Sequence, residues 1–517
     1  MIQFIWKNWW RRKERFLLLL IGALTISAGL TYLIGLSDTN KGTIVENLQQ
    51  RWSASYDIVV RPTGTRSLTE EKKLLEPNYL SGLSGGISLE QYEAIKKIEG
   101  VEVAAPIAMI GYVQYNVHLG NAELSEPGVY RRVTKSTVDN GLENVTSTHN
   151  YYFPLNVWDI ANKGPEYGVG APYQDVEFYS HTLLAGIDPI QEAKLVGLDK
   201  AMMELGNSRY FEATDLHSYR ESEGFHEFPI IVNRNAYLDK VEDIVFEKLT
   251  IPISYDNAAD VMEKVKENGG EKYLHTVEGE AIQSFSMTGE EAFQLFVSTM
   301  TGVDWVSGEI QSNEEKSPFV QTNNSGIVFK PTPIEYQEIA SPYVDRWPYS
   351  YQVVPVSNGE DTVGVYRNTE SYRQPKVMAD NFLDLPRIKP NWIGFYDASN
   401  LTISQDPTNE LPMETYRPAT AEFVIDSEGN PMNPPKQLKP SDDPYSFLTN
   451  PPGMLTTIEA AEKLLGENPI SSIRIKVSGV NDLSEESQAF LDRVAKEIEE
   501  KTGLITDITM GSSPQLA

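Results

Sequence analysis

Apolar residues run without a single charge from Phe16 to Leu36 (FLLLLIGALTISAGLTYLIGL), and the remaining pattern of the chain is shorter and broken by polar residues. As a helix rising about 1.5 Å per residue, this run spans roughly 30 Å, the depth of one hydrocarbon core. The pattern predicts a transmembrane helix over 16–36. Lys7, Arg11, Arg12, Lys13 and Arg15 precede it, whereas Ser37, Asp38, Thr39 and Asn40 follow it. The basic side therefore faces the cytoplasm, making 1–15 a cytoplasmic basic segment and the bulk of the chain extracellular. Trp6, Trp9 and Trp10 lie beside Arg11 and Arg12, and an indole with an apolar body and one N–H suits the headgroup layer, so these five residues are expected as interface anchors. A cleaved signal peptide and a buried core helix are the competing readings. The run is longer than a typical signal core, and Leu36-Ser37-Asp38 offers no small-x-small cleavage site.

Beyond the membrane, Ile44, Val45, Leu48 and Trp52 recur on one helical face, which predicts an amphipathic stalk over 37–53. Gly42 weakens that helix, and a flexible linker is the alternative. Two βαβ patterns then lie at opposite ends of the outer chain. In the first, Tyr56 to Arg61 reads as a β-branched strand. Ser88 and Gln91 have capping-box spacing, Leu89, Tyr92, Ile95 and Ile98 form a helical stripe ending at Gly100, and Val101 to Val113 reads as a strand that Pro106 marks as an edge or a bend. In the second, Ile473 to Val477 alternates as a strand. Asp482 or Ser484 caps a helix whose stripe is Phe490, Leu491, Val494 and Ile498, Gly503 ends it, and Leu504 to Thr509 is a last strand.

The expected fold class is therefore α+β: a single N-terminal transmembrane helix and stalk, then a split ferredoxin-like lobe built from 54–113 and 471–511. A large β-rich α+β insertion, 114–470, interrupts that lobe. Within it Phe228 to Val232 and Val353 to Val356 read as strands, and Ile190 to Leu205, Ala258 to Glu267 and Thr457 to Leu465 as helices. Pro331 to Pro355 and Pro407 to Pro452 read as Pro-rich loops.

Composition narrows the chemistry. The chain has no cysteine, which removes disulfides, thiolate metal sites and Cys nucleophiles. Cysteine-free exported domains often accompany an oxidising exterior such as that of Gram-positive bacteria. Formal net charge is −29, and because the first fifteen residues carry five basic and one acidic side chain, the rest carries −33. Such a surface repels phosphates and argues against nucleic-acid binding.

No motif supplies catalytic residues. Leu83-Ser84-Gly85-Gly86 opens like an ABC ATPase signature, and Gly82 to Gly86 satisfies G-x-S-x-G. Yet there is no G-x-x-x-x-G-K-[ST] in the chain, and Glu76 to Leu80 is not the buried strand a nucleophile elbow requires. A turn before the Ser88 cap is the simpler reading. His217 and His226 flank Glu221, Glu223 and Glu227, a donor set suited to Zn²⁺, but their separation matches no compact ligand spacing and predicts a solvated loop. His118, His149, His181 and His275 show no partner in the sequence. The carboxylates Glu70/Glu71, Asp482/Glu485/Glu486 and Asp256/Asp260/Glu263 read as helix-end or surface charges, so no catalytic, cofactor or metal residue is assigned.

An N-terminal membrane helix, a stalk and a lobe split by a large insertion together resemble the permease subunits of MacB/FtsX-type ABC transporters. Leu184-Ala185-Gly186-Ile187-Asp188-Pro189 with Glu192 and Leu195, and Thr502-Gly503-Leu504 through Gly511-Ser512-Ser513-Pro514, look like segments of FtsX-like permeases. The resemblance implies a non-enzymatic part, in which ATP binding by a cytoplasmic ABC ATPase subunit moves the membrane helices and stalks pass that motion outward for export or extracellular signalling. It also implies a second permease chain or a homodimer, and membrane lipid, as partners. Family members carry three further membrane helices after the outer domain, and no second apolar stretch here reaches about eighteen residues. The expectation is thus a fragment, a chain completed by a partner, or a broken gene. The alternative is a single-span anchored protein that binds a ligand or partner outside the cell.

Overall fold

The computed structural model describes residues 56–76, 79–235, 239–302, 326–354, 356, 371–374, 376–379, 384–403, 415–426, 428–480 and 484–509. No helix among them is long and apolar enough to cross a membrane. The transmembrane helix expected at 16–36, the anchors Trp6, Trp9, Trp10, Arg11 and Arg12, and the stalk residues Ile44, Val45, Leu48 and Trp52 lie outside the described residues.

The fold is mixed α+β. In chain order the first half of the body contains β1 (Ile58–Arg61), α1 (Leu89–Ile95), β2 (Val101–Asn121), β3 (Gly128–Asp139), β4 (Asn144–Leu155), β5 (Asp175–Ile187) and α2 (Pro189–Val196). There follow β6 (Ser218–Arg220), β7 (Phe225–Asn233), β8 (Lys240–Leu249), α3 (Ala258–Glu267), α4 (Glu271–Thr276), β9 (Gly279–Thr288) and α5 (Gly289–Thr301). Short strands β10 (Ile327–Phe329), β11 (Tyr336–Ile339) and β12 (Ser350–Val353) lead to β13 (Ile388–Tyr396), β14 (Ala421–Ile425) and β15 (Pro431–Leu438). The chain closes with β16 (Met454–Thr457), α6 (Ile458–Leu465), β17 (Ser472–Val477), α7 (Glu485–Thr502) and β18 (Ile505–Ile508).

Local signals explain most of these boundaries. Ser88 accepts the Gln91 N–H while the Gln91 side chain accepts the Ser88 N–H, and Ser484 rather than Asp482 caps α7 through Ser487 N–H. Gly503, at φ +71°, ends α7 in the left-handed conformation that a Cβ disfavours. Several expectations give way to the structure. Helix α1 ends at Ile95, so Gly100 is the turn into β2 and not the helix cap. The helix expected over 190–205 stops at Val196 because Gly197 turns left-handed, and a short 3₁₀ turn, Leu198–Ala201, follows. The strand expected over 353–356 ends at Val353, and Val356 only bridges Ser371.

The two βαβ patterns meet as four adjacent antiparallel strands in the order β18-β1-β17-β2. Ranked by appearance within the two patterns, this is 4-1-3-2. The sheet does not stop there. Strand β2 runs on past residue 113 to Asn121, and the order continues β2-β5-β16-β7-β13, so segments of 114–470 extend the same sheet. Pro106 accordingly lies in an interior strand, not at an edge. Its missing N–H is tolerated because the β5 ladder on β2 begins only at Ile107, paired with Ile187.

One sheet face, with Ile58, Val60, Ile473 and Ile475, packs on α1, α5, α6 and α7. The other, with Val59, Val103, Ile107 and Ile231, packs on α2 and on loop residues such as Tyr79, Tyr416 and Tyr445. Helix α6 approaches β5 closely at Gly186, where a Cβ would fall 2.6 Å from that of Ala461. The long β2–β5 ribbon, bent at register shifts near Gly111 and Gly120, reaches a second sheet of order β4-β3-β8-β9. Ala122 and Val176 at its tip pack with Tyr130, Phe153 and Phe246, while α3 and α4 cover the opposite face. Helix α5 then returns to the first sheet, setting Phe296 4.4 Å from the Tyr115 ring on β2.

Candidate functional site

The most constrained polar chemistry surrounds β1, the strand by which the chain enters the described body. At its start, Thr509 N–H donates to Asp57 O at 2.9 Å, and Thr509 Oγ1 donates to Tyr56 O at 2.9 Å. Entry at Tyr56 and exit at Thr509 are therefore neighbours on the same end of the sheet. The buried Asp57 carboxylate accepts Val477 N–H at 2.8 Å and Lys476 Nζ at 3.0 Å. Burial pushes its pKa up, and those two donors oppose the shift. One aspartate thus ties the first strand to the third across a sequence gap that no local pattern spans.

At the other end of β1, Arg61 is 1% exposed and contacts two carboxylates, Glu70 and Asp507, each at 2.6 Å from Nη2. Arg66 closes the circuit at 3.2 Å from Glu70 and 3.0 Å from Asp507. The Arg61 guanidinium also covers the Tyr79 ring at 4.9 Å. Burial drives the Glu70 pKa upward, but the bonds from Arg61 and the Ser67 backbone outweigh it and hold the carboxyl below its ordinary value. This ring of four charges fastens β18, the outermost strand, to β1.

Between these ends, Arg474 of β17 donates to Glu192 of α2 at 2.9 and 2.7 Å, with both residues at most 1% exposed. The Tyr416 hydroxyl donates to the same carboxylate, and Thr415 Oγ1 lies 3.3 Å from Arg474 Nη1. Burial, then the neighbouring Glu192 charge, push the Tyr416 hydroxyl pKa far up, so it stays a donor. An ion pair this deep gains little net stability over apolar packing, and it joins α2 to β17.

The other residues singled out in the sequence fall into place around this frame. Gly85 and Gly86 form a left-handed turn before the Ser88 cap, with Gly86 N–H on Asn468 O. Glu263 accepts from Tyr167 OH at 2.5 Å, and Glu485 and Glu486 occupy the first turn of α7. His275 Nδ1 lies 3.2 Å from Tyr152 OH, and His118 Nδ1 lies 4.0 Å from Glu177, partners that no local pattern announces. His217 and His226, expected in a solvated loop, are instead brought together by the β6–β7 hairpin, with Nε2 and Nδ1 3.0 Å apart. Sequence reasoning also missed Glu76, a buried carboxyl beside Arg373 that burial pushes up to about 7.

A cavity of about 30 Å³ lies between the first sheet and α5, lined by Tyr115, Thr182, Asn233, Phe293, Phe296 and Gly453, among others. Asn233 is buried, and its Nδ2 has no partner among the described residues. The space suits one or two waters rather than a substrate. Burial of His181 on the same wall lowers its pKa to about 4, keeping it neutral near pH 7. Compared with protein-family models, curated proteins and solved structures, the chain matches none of them.

Proposed function

We propose that this chain is the extracytoplasmic part, with its membrane anchor, of a permease subunit of an ABC transporter of the MacB/FtsX type, working with a cytoplasmic ATPase subunit and a second permease chain or copy. In this reading the four strands β18-β1-β17-β2 are a split ferredoxin-like lobe, and the anchor at 16–36 and stalk at 37–53 lead directly into β1. The observation that carries the proposal is the pairing of Tyr56 and Asp57 with Thr509, which brings both ends of the described body to one point. A displacement of the segment before Tyr56 acts along β1, which is hydrogen-bonded on both flanks by β17 and β18. Ladder bonds perpendicular to the strand resist sliding together, so the lobe follows as a unit. The Arg474–Glu192 pair and the β2–β5 ribbon carry the motion into α2 and the second sheet. The part is mechanical, and no residue is assigned to chemistry.

The test is purification of the full chain from its native membrane in mild detergent, with labelling of single cysteines placed at residue 5 and residue 430. The proposal requires that an ABC ATPase co-purifies and that only residue 430 reacts from outside. External labelling of residue 430 without any ATPase favours the single-span anchored binding protein, and release of the chain into the medium overturns both.

A further inference from the structure

The imidazole pair at the β6–β7 hairpin is used by nothing described above. Tyr219 pairs with His226 across the hairpin, and His217, two residues before Tyr219, shares its face. His217 Nε2 and His226 Nδ1 stand 3.0 Å apart with ring centroids 5.2 Å apart, and the Tyr219 ring covers His226 at 4.8 Å. Burial lowers both pKa values, and at His217 the neighbouring His226 and Lys463 of α6 lower it further. Both rings are therefore neutral near pH 7, the state in which imidazole offers a lone pair. Glu227 lies on the opposite hairpin face, paired with Arg220 at 2.9 Å and facing Lys389 at 3.8 Å. Among the described residues no group of three or more such side chains is arranged to hold an ion, so other positions would be filled by water or an external ligand.

We propose that His217 and His226 form a two-imidazole chelating site for a divalent transition-metal ion of tetragonal or octahedral preference, Cu²⁺ or Ni²⁺. The short separation suits a cis pair of ligands. Two nitrogens bound at about 2.0–2.1 Å and 3.0 Å apart subtend roughly 95° at the metal, a cis angle, whereas tetrahedral Zn²⁺ wants them roughly 3.3 Å apart. Binding requires that the proton between the rings move to a remote ring nitrogen and that the two rings turn by roughly 40° so that both lone pairs converge on the ion.

The experiment titrates CuCl₂ and NiCl₂ into the full chain, free of any affinity tag, at pH 7.5 by calorimetry, with electron paramagnetic resonance on the Cu²⁺ form. One equivalent should bind with coupling from two equatorial nitrogens. His217→Asn or His226→Asn should each lower affinity at least about tenfold and remove one nitrogen from the spectrum. Lys463→Gln should strengthen binding by removing a nearby positive charge, a gain that a damaged fold cannot produce. Binding of Cu²⁺ to His217→Asn/His226→Asn as tight as to the parent overturns the site, and Zn²⁺ binding tighter than Ni²⁺ overturns the geometric argument for the ion.

Discussion

Replacing Glu76 by Gln should stabilise the protein at pH 8 and leave its stability unchanged at pH 4. Glu76 is 6% exposed, and its Oε2 has no hydrogen-bond partner within normal distance among the described residues. The nearby Arg373 guanidinium is committed to the carbonyls of Thr332, Ser446 and Phe447. Burial therefore dominates, and with Arg373 and then the Tyr336 hydroxyl only partly opposing it, the carboxyl rises from 4.5 to about 7. A raised carboxyl pKa means that the folded chain keeps a proton the unfolded chain has already released. The folded state is favoured most at low pH, and that advantage is lost as pH climbs from 4.5 to about 7. At about 1.4 kcal/mol per pH unit over a window roughly 2.5 units wide, the ionised side chain costs on the order of 3 kcal/mol above pH 7. Glutamine cannot ionise, so its variant lacks this loss. The assay is urea unfolding followed by tryptophan fluorescence at half-unit steps from pH 4 to 8, parent against Glu76→Gln. Asp443 is also pushed up to about 7 by burial and titrates in the same window, so the difference between the two proteins isolates Glu76. Curves that stay parallel across the range would refute the reasoning.

Arg61→Met should destabilise by about 1–3 kcal/mol, less than loss of a fully buried partner, because Arg66 still pairs with Glu70 and with the partly exposed Asp507, and hydrogen exchange should show β18 opening first. Arg474→Met should cost more, about 3–5 kcal/mol, by stranding Glu192, while adding Glu192→Met should recover most of it; a double variant as unstable as the single one would show that the pair itself, not the stranded charge, matters. Under the proposed permease role, replacing Leu48 and Trp52 by Asp should uncouple ATP hydrolysis from outer-domain function in membranes while the isolated outer domain keeps its circular dichroism, and unchanged coupling would count against a stalk at 37–53.

Much of the local architecture was legible because it depends on residues within one or two turns of each other. The Ser88–Gln91 box, the helix beginning near Thr457, the Gly503 stop and the strands around Ile58 and Ile473 each announce themselves through spacing alone, while the cap of α7 stayed open between Asp482 and Ser484. The same locality explains the misses. A helical stripe from Ile190 onward carried across Gly197 because a stripe does not register the cost of continuing past a glycine that turns left-handed. Pro106 read as an edge or a bend because sequence does not reveal where a neighbouring ladder ends.

By itself the sequence determined a charge-free apolar run at 16–36, an acidic cysteine-free remainder and two βαβ patterns at its far ends. Only the tertiary structure decided that the intervening segment continues the same sheet, that Arg61 meets Asp507 and Arg474 meets Glu192, and that two histidines nine residues apart face each other at 3.0 Å. Periodicity and capping are set by forces acting over a few residues. Ion pairs and strand neighbours separated by hundreds of residues are chosen by the burial of the whole sheet, and no short window of sequence carries that information.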